Sequence, residues 1–550
     1  MIFEQENWFV FGAFRQGLDG WELQPEPGSA PSQTRAFRGS EGLLVEQSVV
    51  KEGGPWSRKP KTTYEPAPSV VLCQSLLDLP VDRQAVMRAR LRLVSGFARL
   101  SVRFWDKKGA EIIGGHQWAA PSAEPSADWQ SLEYDVVIPT EAQTSAAGIL
   151  FSGRVKAAVA ECEFRLIDDT IEAYRSRLFA KVEQNCDDLP EPCRDAFQQV
   201  PRHIFLPDTP AAVAYTDDAI ATRFDEIDGA RVAISSSSQP SMMALMLKDL
   251  DLRRGMRVLE IGTGTGYNAA LLAAIAGEDN VTSIDLDREI VEAAGANLDR
   301  AGVTDVDLHT ADGWQGWASR APYDRIIITV GVPDIADAWV DQLVDGGVIV
   351  MPLSVQCAEF SIAFRKEGDR LKSTSIRDCK FMDLRGENAR STYHPTETGF
   401  IIKHSGLNND EVAAIASIME RPWTEISLPE QSPRRPELFA AYLAFRHWPT
   451  VGVSGSLLAP FGVQPGGGAY AIVDIAEQSA AIPQACFGGP SMGEKLKQYH
   501  SEWVKLGQPG TKRLHLTAYP RSAHPSKPRV RATAERGVIE TPSAWILWEF

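Results

Sequence analysis

Although 44% of the 550 residues are hydrophobic, the sequence has no uninterrupted apolar run of the roughly 18 residues that a membrane span needs. That absence argues against a membrane protein and leaves out a membrane partner. The first residues, Met1-Ile2-Phe3-Glu4-Gln5-Glu6-Asn7, put acids where a secretory signal needs basic side chains, so the expected compartment is the cytoplasm. Cysteine is scarce and scattered. Cys73, Cys162, Cys186, Cys193, Cys357, Cys379 and Cys486 form no Cys-x-x-Cys pair, and no histidine stands at zinc spacing. Reduced structural thiols and no metal ligands are expected. An excess of positive charge is lacking too: 56 basic residues against 72 acidic ones give a formal charge of −16, which repels phosphate backbones. Nucleic acid is therefore not an expected partner.

What is present is enough chain for several cores, at roughly 150 residues per domain. Residues 1–168 carry short alternating runs such as Ala98-Arg99-Leu100-Ser101-Val102-Arg103-Phe104-Trp105 between Pro- and Gly-rich turns. Period-2 patterning with frequent turns predicts a β-sandwich. Its closing rhythm, from Asp128-Trp129 to Cys162-Glu163-Phe164-Arg165-Leu166, resembles carbohydrate-binding-type jelly rolls, and this implies a sugar or a protein partner as a candidate ligand. From Asp169 to about Gln199 the pattern turns helical, with Ile171, Tyr174, Leu178 and Val182 three and four residues apart. Strand-like and helical runs then alternate: Arg257 to Ile261, Tyr267 to Ile275, Val281 to Asp285, Ile290 to Leu298, and later Tyr323 to Thr329 and Gly346 to Pro352. That rhythm predicts a doubly wound α/β, Rossmann-like domain over 169–385. Residues 386–550 are richer in Pro, Gly and scattered aromatics, with a helical stretch at 409–419, and predict an α+β extension suited to substrate binding.

The chemistry concentrates where Val258-Leu259-Glu260-Ile261 runs into Gly262-Thr263-Gly264-Thr265-Gly266 and then a helix. Glycines let a backbone turn sharply and come close to a ligand. Such a loop taken alone also serves as an ordinary tight turn. Asp285 ends the next strand about 20 residues on, where an acid accepts ribose hydroxyls or else caps a helix. Asp312-Gly313 follows a third strand, placing an acid for an adenine amine or a plain turn.

Glu260 to Tyr267 (E-I-G-T-G-T-G-Y), Asp312 to Trp317 (D-G-W-Q-G-W), Ala321-Pro322-Tyr323-Asp324 and Gln239-Pro240 together resemble protein-L-isoaspartate O-methyltransferases. Val200-Pro201-Arg202 with Phe205, and Ala214-Tyr215-Thr216-Asp217, fit the same order, over roughly residues 190–385. The resemblance implies S-adenosylmethionine as cofactor, held by Glu260, Gly262, Thr263, Gly264, Thr265, Gly266, Asp285, Asp312 and Gly313. It implies a peptide or protein acceptor at Ser235, Ser236, Ser237, Ser238 and Gln239, with Ser238 foremost, and a peptide-facing loop at Val330-Gly331-Val332. Asp217 matches a recurrent acid to which no role is assigned. The chain departs from the family in two ways. Four serines precede Gln239-Pro240 where one is usual, which predicts an acceptor loop three residues longer, and two flanking regions surround the family segment. This layout is similar to the isoaspartyl-methyltransferase-like enzymes that tailor cyclised ribosomal peptides. The leading expectation is therefore methylation of an aspartate in such a peptide, leading to succinimide and isoaspartate. The alternatives are general isoaspartate repair, and a binding protein without catalysis.

Overall fold

The computed structural model describes residues 81–388 with short breaks and residues 490–550 throughout; between 22 and 77 and between 392 and 487 it describes strands and a few single residues. The helix expected over 409–419 lies, but for one residue, outside the described residues. The chain divides into two compact units: one built on residues up to Ser176, the other on those from Arg177 onward, with Thr209–Thr216 belonging to the first.

The nine described strands of the first unit pair antiparallel and share one hydrogen-bonded network. Two long strands, Gln84–Trp105 and Thr144–Leu166, pair along nearly their whole length. In the first of them Ala85, Met87, Ala89, Leu91 and Leu93 are buried, and then Ala98, Leu100, Val102 and Phe104. The inward parity thus changes from odd to even. Register shifts at Arg90/Leu91, Leu93/Ser95 and Ser95/Phe97 accompany that change, and such bulges let one strand bend while its apolar side stays on the core. The alternation at 98–105 is the second half of this strand. The guanidinium groups of Arg90 and Arg92 lie 5.5 and 5.4 Å from the Trp129 ring centre, so that ring is packed against cations.

Helix α1 (Ile171–Asn185) starts in the first unit and continues into the second, where α2 (Glu191–Gln199) follows. The single helical run expected up to Gln199 is broken because Pro190, lacking an N–H, starts a new helix. Tyr174, Leu178 and Val182 are buried as their spacing requires, while Ile171 is 44% exposed. Cys186 and Cys193 are buried thiols, and desolvation pushes Cys193 up to about 12, which keeps it protonated and inert. A hairpin, β1 (Ile220–Ile227) and β2 (Ala230–Ser237), precedes α3 (Pro240–Leu250).

Then comes the alternation: β3 (Val258–Ile261), α4 (Tyr267–Ala276), β4 (Val281–Asp285), α5 (Arg288–Ala301), β5 (Asp307–Thr310), β6 (Tyr323–Ile328), α6 (Asp337–Gln342) and β7 (Leu343–Val355). Each helix has a local cause. For α5, Asp287 accepts from the Glu289 N–H at 2.9 Å and Gly302 closes the far end at φ +76°. The apolar helix α4 is buried on nearly every side, as a helix inside a core must be.

The sheet is mixed. Strands β5-β4-β3-β6-β7 are parallel, and beyond β7 the antiparallel strands β8 (Ala358–Glu367) and β9 (Arg370–Asp378) continue it. The sheet does not stop there. After helix α7 (Pro490–Lys505), the strands β10 (His515–Pro520), β11 (Arg536–Glu540) and β12 (Ala544–Glu549) join in the order β9-β10-β12-β11. Leu371 and Lys372 pair with Ala518 and Thr517, and the Leu516 N–H donates to Ser373 Oγ at 2.8 Å. Leu516, Ala518, Ala544, Ile546 and Trp548 enter the same core as Trp339, Phe360 and Phe364. Fully buried Asp334 holds the 541–543 turn, accepting from Thr541 Oγ1 and, at 2.7 Å, from the Ser543 N–H. The last strands therefore complete the central sheet, whereas those between Thr392 and Phe487 form a seven-stranded antiparallel sheet of their own. The extension expected over 386–550 is split between the two.

Trp548 is 1% exposed. Trp548→Ala is expected to cost about 3–5 kcal/mol in denaturant unfolding of the full chain. A loss below about 1 kcal/mol would contradict its place in this core.

Candidate active site

Strand β3 is buried at all four positions between two parallel neighbours, β4 and β6, so it can only emerge at its C-terminal end. There Gly262, Gly264 and Gly266 adopt φ of +101°, +53° and +85°, a region that side chains disfavour. Space matters as well. An added Cβ on Gly262 would lie 2.5 Å from Thr329 Oγ1, and one on Gly264 would lie 3.0 Å from the Ser236 carbonyl oxygen. The loop passes close beneath both segments and delivers the N-terminus of α4 to an open cleft. Gly262, Thr263, Gly264 and Thr265 line that cleft, as do Asp285 and Gly313.

Glu260 does not line it. Its side chain is fully buried beneath the loop, accepting from Ser283 Oγ at 2.5 Å and Asn268 Nδ2 at 2.7 Å. Thr263 Oγ1 and Ser283 Oγ lie 2.7 Å apart; since the Ser283 proton goes to Glu260, Thr263 donates to Ser283. A buried chain, Thr263 to Ser283 to Glu260, thus ties the loop to β3 and β4. The expected cofactor contact is corrected to a supporting role. Desolvation pushes the Glu260 carboxyl up to about 7, with the two hydrogen bonds opposing it. Asn268 itself lines the cleft, and its buried Oδ1 accepts from no described residue.

At the tip of β4, Asp285 accepts from the Gly264 N–H at 3.2 Å and the Asp287 N–H at 3.3 Å. Burial raises its pKa, an effect that these N–H groups and Arg385 counter. Asp312 accepts from the Trp314 N–H at 3.0 Å and so caps the short turn Gly313–Gln315. It stands outside the cleft lining. Gly313 is pressed so tightly on Ile261 that a Cβ would collide, and its carbonyl accepts from Trp339 Nε1 at 2.8 Å.

The serine run is not a longer loop. Ser235, Ser236 and Ser237 finish strand β2, paired with Arg223, Ala221 and Ile220 of β1. The strand period decides their roles: Ser235 and Ser237 point inward and are buried, while Ser236 and Ser238 are half-buried. The Ser235 hydroxyl accepts from Thr222 Oγ1 at 3.0 Å. All four serines line the cleft.

Gln239 does not line the cleft. Its amide points to Asp217 at 3.4 Å, and Asp217 also accepts from Ser241 Oγ at 2.7 Å, the Ser241 N–H at 2.8 Å and Asn185 Nδ2 at 3.1 Å. Asp217 therefore caps α3 from outside the helix, whose own cap residue supplies no side-chain bond. Arg202, buried and absent from the expected site, donates to the carbonyls of Asp218, Ser237 and Ser238 at 2.9, 3.3 and 3.1 Å. It holds the serine segment in place.

Sequence reasoning also missed a strap, Met382 to Arg385, on the far rim of the cleft. Gly331 grips it, donating to the Met382 carbonyl at 2.7 Å and accepting from the Leu384 N–H at 2.8 Å. Of the peptide-facing segment expected at Val330-Gly331-Val332, Val330 lines the cleft. Arg385 lies 3.8 Å from Asp285 and 4.0 Å from Asp287. No local pattern marks a strap that only a sheet crossing brings here.

A three-glycine loop between a buried parallel strand and a helix, with an acid at the tip of the next strand, defines a nucleotide-cofactor site of the Rossmann-like class. The family model for protein-L-isoaspartate(D-aspartate) O-methyltransferase matches residues 174–389. The chain is 38% identical to a protein-L-isoaspartate O-methyltransferase of Geobacter metallireducens over 194 residues, 35% of this chain and 85% of that one. With its counterpart in Dictyoglomus turgidum it shares 33% identity over 224 residues, 41% and 97%. A solved Plasmodium falciparum structure, a putative protein-L-isoaspartate O-methyltransferase with S-adenosyl-L-homocysteine, is 18% identical with a TM-score of 0.33 and coverages of 38% and 98%. The chain belongs to the protein-L-isoaspartate O-methyltransferase family. It is thus an enzyme, an S-adenosylmethionine-dependent methyltransferase, which overturns the expectation of a binding protein without catalysis.

A carboxyl group whose folded pKa exceeds its unfolded value binds more protons when folded. The stability tied to Glu260 is therefore full below its ordinary value of 4.5 and is lost as pH rises through about 7. Relative to Glu260→Gln, the wild-type protein should lose on the order of 3 kcal/mol across that window. Denaturant unfolding of both proteins at a series of pH values reads this directly. A difference independent of pH would contradict it.

Proposed function

We propose that this enzyme uses S-adenosylmethionine to methylate the free carboxylate of isoaspartyl residues in proteins or peptides. One observation carries the reading beyond family membership: the glycine loop and the serine segment face each other across one cleft, with Gly264 packed beneath the Ser236 carbonyl. The cradle suits the cofactor, because Gly262 and Gly264 leave no room for a side chain and Asn268 Oδ1 is a buried acceptor with no donor among the described residues. Gly262, Gly264 and Gly266 would let the cofactor come close to the loop backbone, Asp285 would accept its ribose hydroxyls, and Gly313 would line the adenine end. When bound, S-adenosylmethionine supplies an electrophilic methyl group.

The rest falls to residues of the chain. The acceptor carboxylate, with an ordinary pKa near 4, is already ionised at neutral pH and needs no general base. Orientation is the main task, and the Ser236 and Ser238 hydroxyls, which line the cleft, would donate to that carboxylate. Arg202 keeps them in position through the carbonyls of Ser237 and Ser238. In the methylated product the ester carbonyl is activated: the following backbone nitrogen attacks it, methanol leaves with the nitrogen's proton, and the succinimide hydrolyses to aspartate or isoaspartate.

Incubation with S-adenosylmethionine and a linear isoaspartyl peptide should add one methyl group by mass spectrometry, and the matching aspartyl peptide should stay unmodified. No turnover on any isoaspartyl peptide would sink the proposal. Ser238→Ala should lower kcat/KM about tenfold while leaving S-adenosylhomocysteine affinity unchanged in calorimetry. A second reading, tailoring of a dedicated cyclised peptide, draws on the share of this chain, more than half, that its relatives do not match. The serine run lends it nothing, being a strand end. Activity on a cyclised aspartyl peptide, with inertness towards linear isoaspartyl ones, would favour it.

A further inference from the structure

Two arginines from outside the parallel strands converge on the turn that carries the ribose-facing acid. Arg223, on the hairpin strand β1, lies 2.9 Å from Glu289 and 3.7 Å from Asp287. Arg385, on the strap, approaches Asp285 at 3.8 Å and Asp287 at 4.0 Å. The strap is fixed to Gly331, just beyond β6, and lines the same cleft as the serine segment and the glycine loop. Arg385 is the one cationic side chain among the described residues lining the cleft. Its distances to both carboxylates exceed hydrogen-bonding contact, so its charge reaches Asp285 while the carboxylate oxygens stay available to a ligand.

We infer that Arg385 is a positioning residue for the cofactor: through its ion pair it keeps Asp285 ionised and oriented to accept the ribose hydroxyls. The inference rests on the cofactor assignment proposed above. The environment of Asp285 makes such help necessary. Burial opposes its charge, and the titratable and charged groups around it are Asp287 on its own turn, Glu260 beneath it on β3, whose carboxyl is neutral below about 7, Asp383 and Arg385 on the strap and, one residue removed, Arg223 paired with Asp287. Of these Arg385 is the cation facing Asp285 directly. An ionised carboxylate accepts two hydroxyls well, and a protonated one accepts them poorly.

Calorimetric titration of the full chain with S-adenosylhomocysteine between pH 5.5 and 8 tests this without turnover. The wild-type protein should show a nearly flat Kd. Arg385→Gln should bind about two- to threefold more weakly at pH 8 and about tenfold more weakly at pH 5.5, a tenfold change being one pKa unit. Arg385→Lys, which keeps the charge, should restore the flat profile. If Arg385→Gln proves unstable in thermal unfolding, Arg385→Met, which keeps the aliphatic stem, takes its place with the same expectation. Parallel pH profiles for wild type and variant would overturn the inference, and so would tighter binding by the variant, which would mean that Arg385 competes with the ribose. A wild-type protein that fails to bind S-adenosylhomocysteine would instead overturn the cofactor assignment and the inference with it.

Discussion

Glu260 is a carboxyl group with no exposed surface, directly beneath the loop that forms the floor of the cleft. Burying such a group is costly unless its lone pairs find donors. Ser283 and Asn268 supply them, and each donor belongs to a different element, β4 and α4. Satisfying Glu260 therefore fixes the spacing of strand, helix and neighbouring strand at one point. Thr263, hydrogen-bonded to Ser283, brings the loop backbone into the same arrangement. The three positive-φ glycines can hold their unusual conformations because this network over-determines the path between β3 and α4.

Around that point the cleft is assembled by polar residues that act on other residues. Asp217 caps α3 and turns Gln239 away, Arg202 grips the carbonyls of the serine segment, and Trp339 clasps Gly313. The sheet itself needs cover on its antiparallel side, where β9 would otherwise present unpaired backbone groups. Strand β10 supplies that cover, and the residues to Glu549 bring Trp548 into the core beside Phe360 and Phe364. The C-terminal region thus works partly as structure for the methyltransferase unit.

Much of this was legible in residue order. The alternation from Arg257 to Pro352 predicted the strands and helices of the parallel region closely, because buried parallel strands are short apolar runs that glycine and aspartate end abruptly. The glycine loop and Asp285 came together in the cleft as their spacing implied. Glu260 misled because a carboxylate beside a binding loop reads as a ligand contact, and only its partners 8 and 23 residues away reveal a buried support. Four consecutive serines read as a lengthened acceptor loop, since their low hydrophobicity hides the strand pairing that buries every second one.

By itself, then, the sequence determined the family, and with it the cofactor, and where the glycine loop and the strand-end acid fall along the chain, because such motifs are local properties. Tertiary structure decided which polar residues face the cleft and which support it. It also decided that the strap at Met382 to Arg385 reaches Asp285, and that the last strands belong to the central sheet. Those outcomes depend on hydrogen bonds between backbones far apart in the chain, and no local pattern of side chains encodes them.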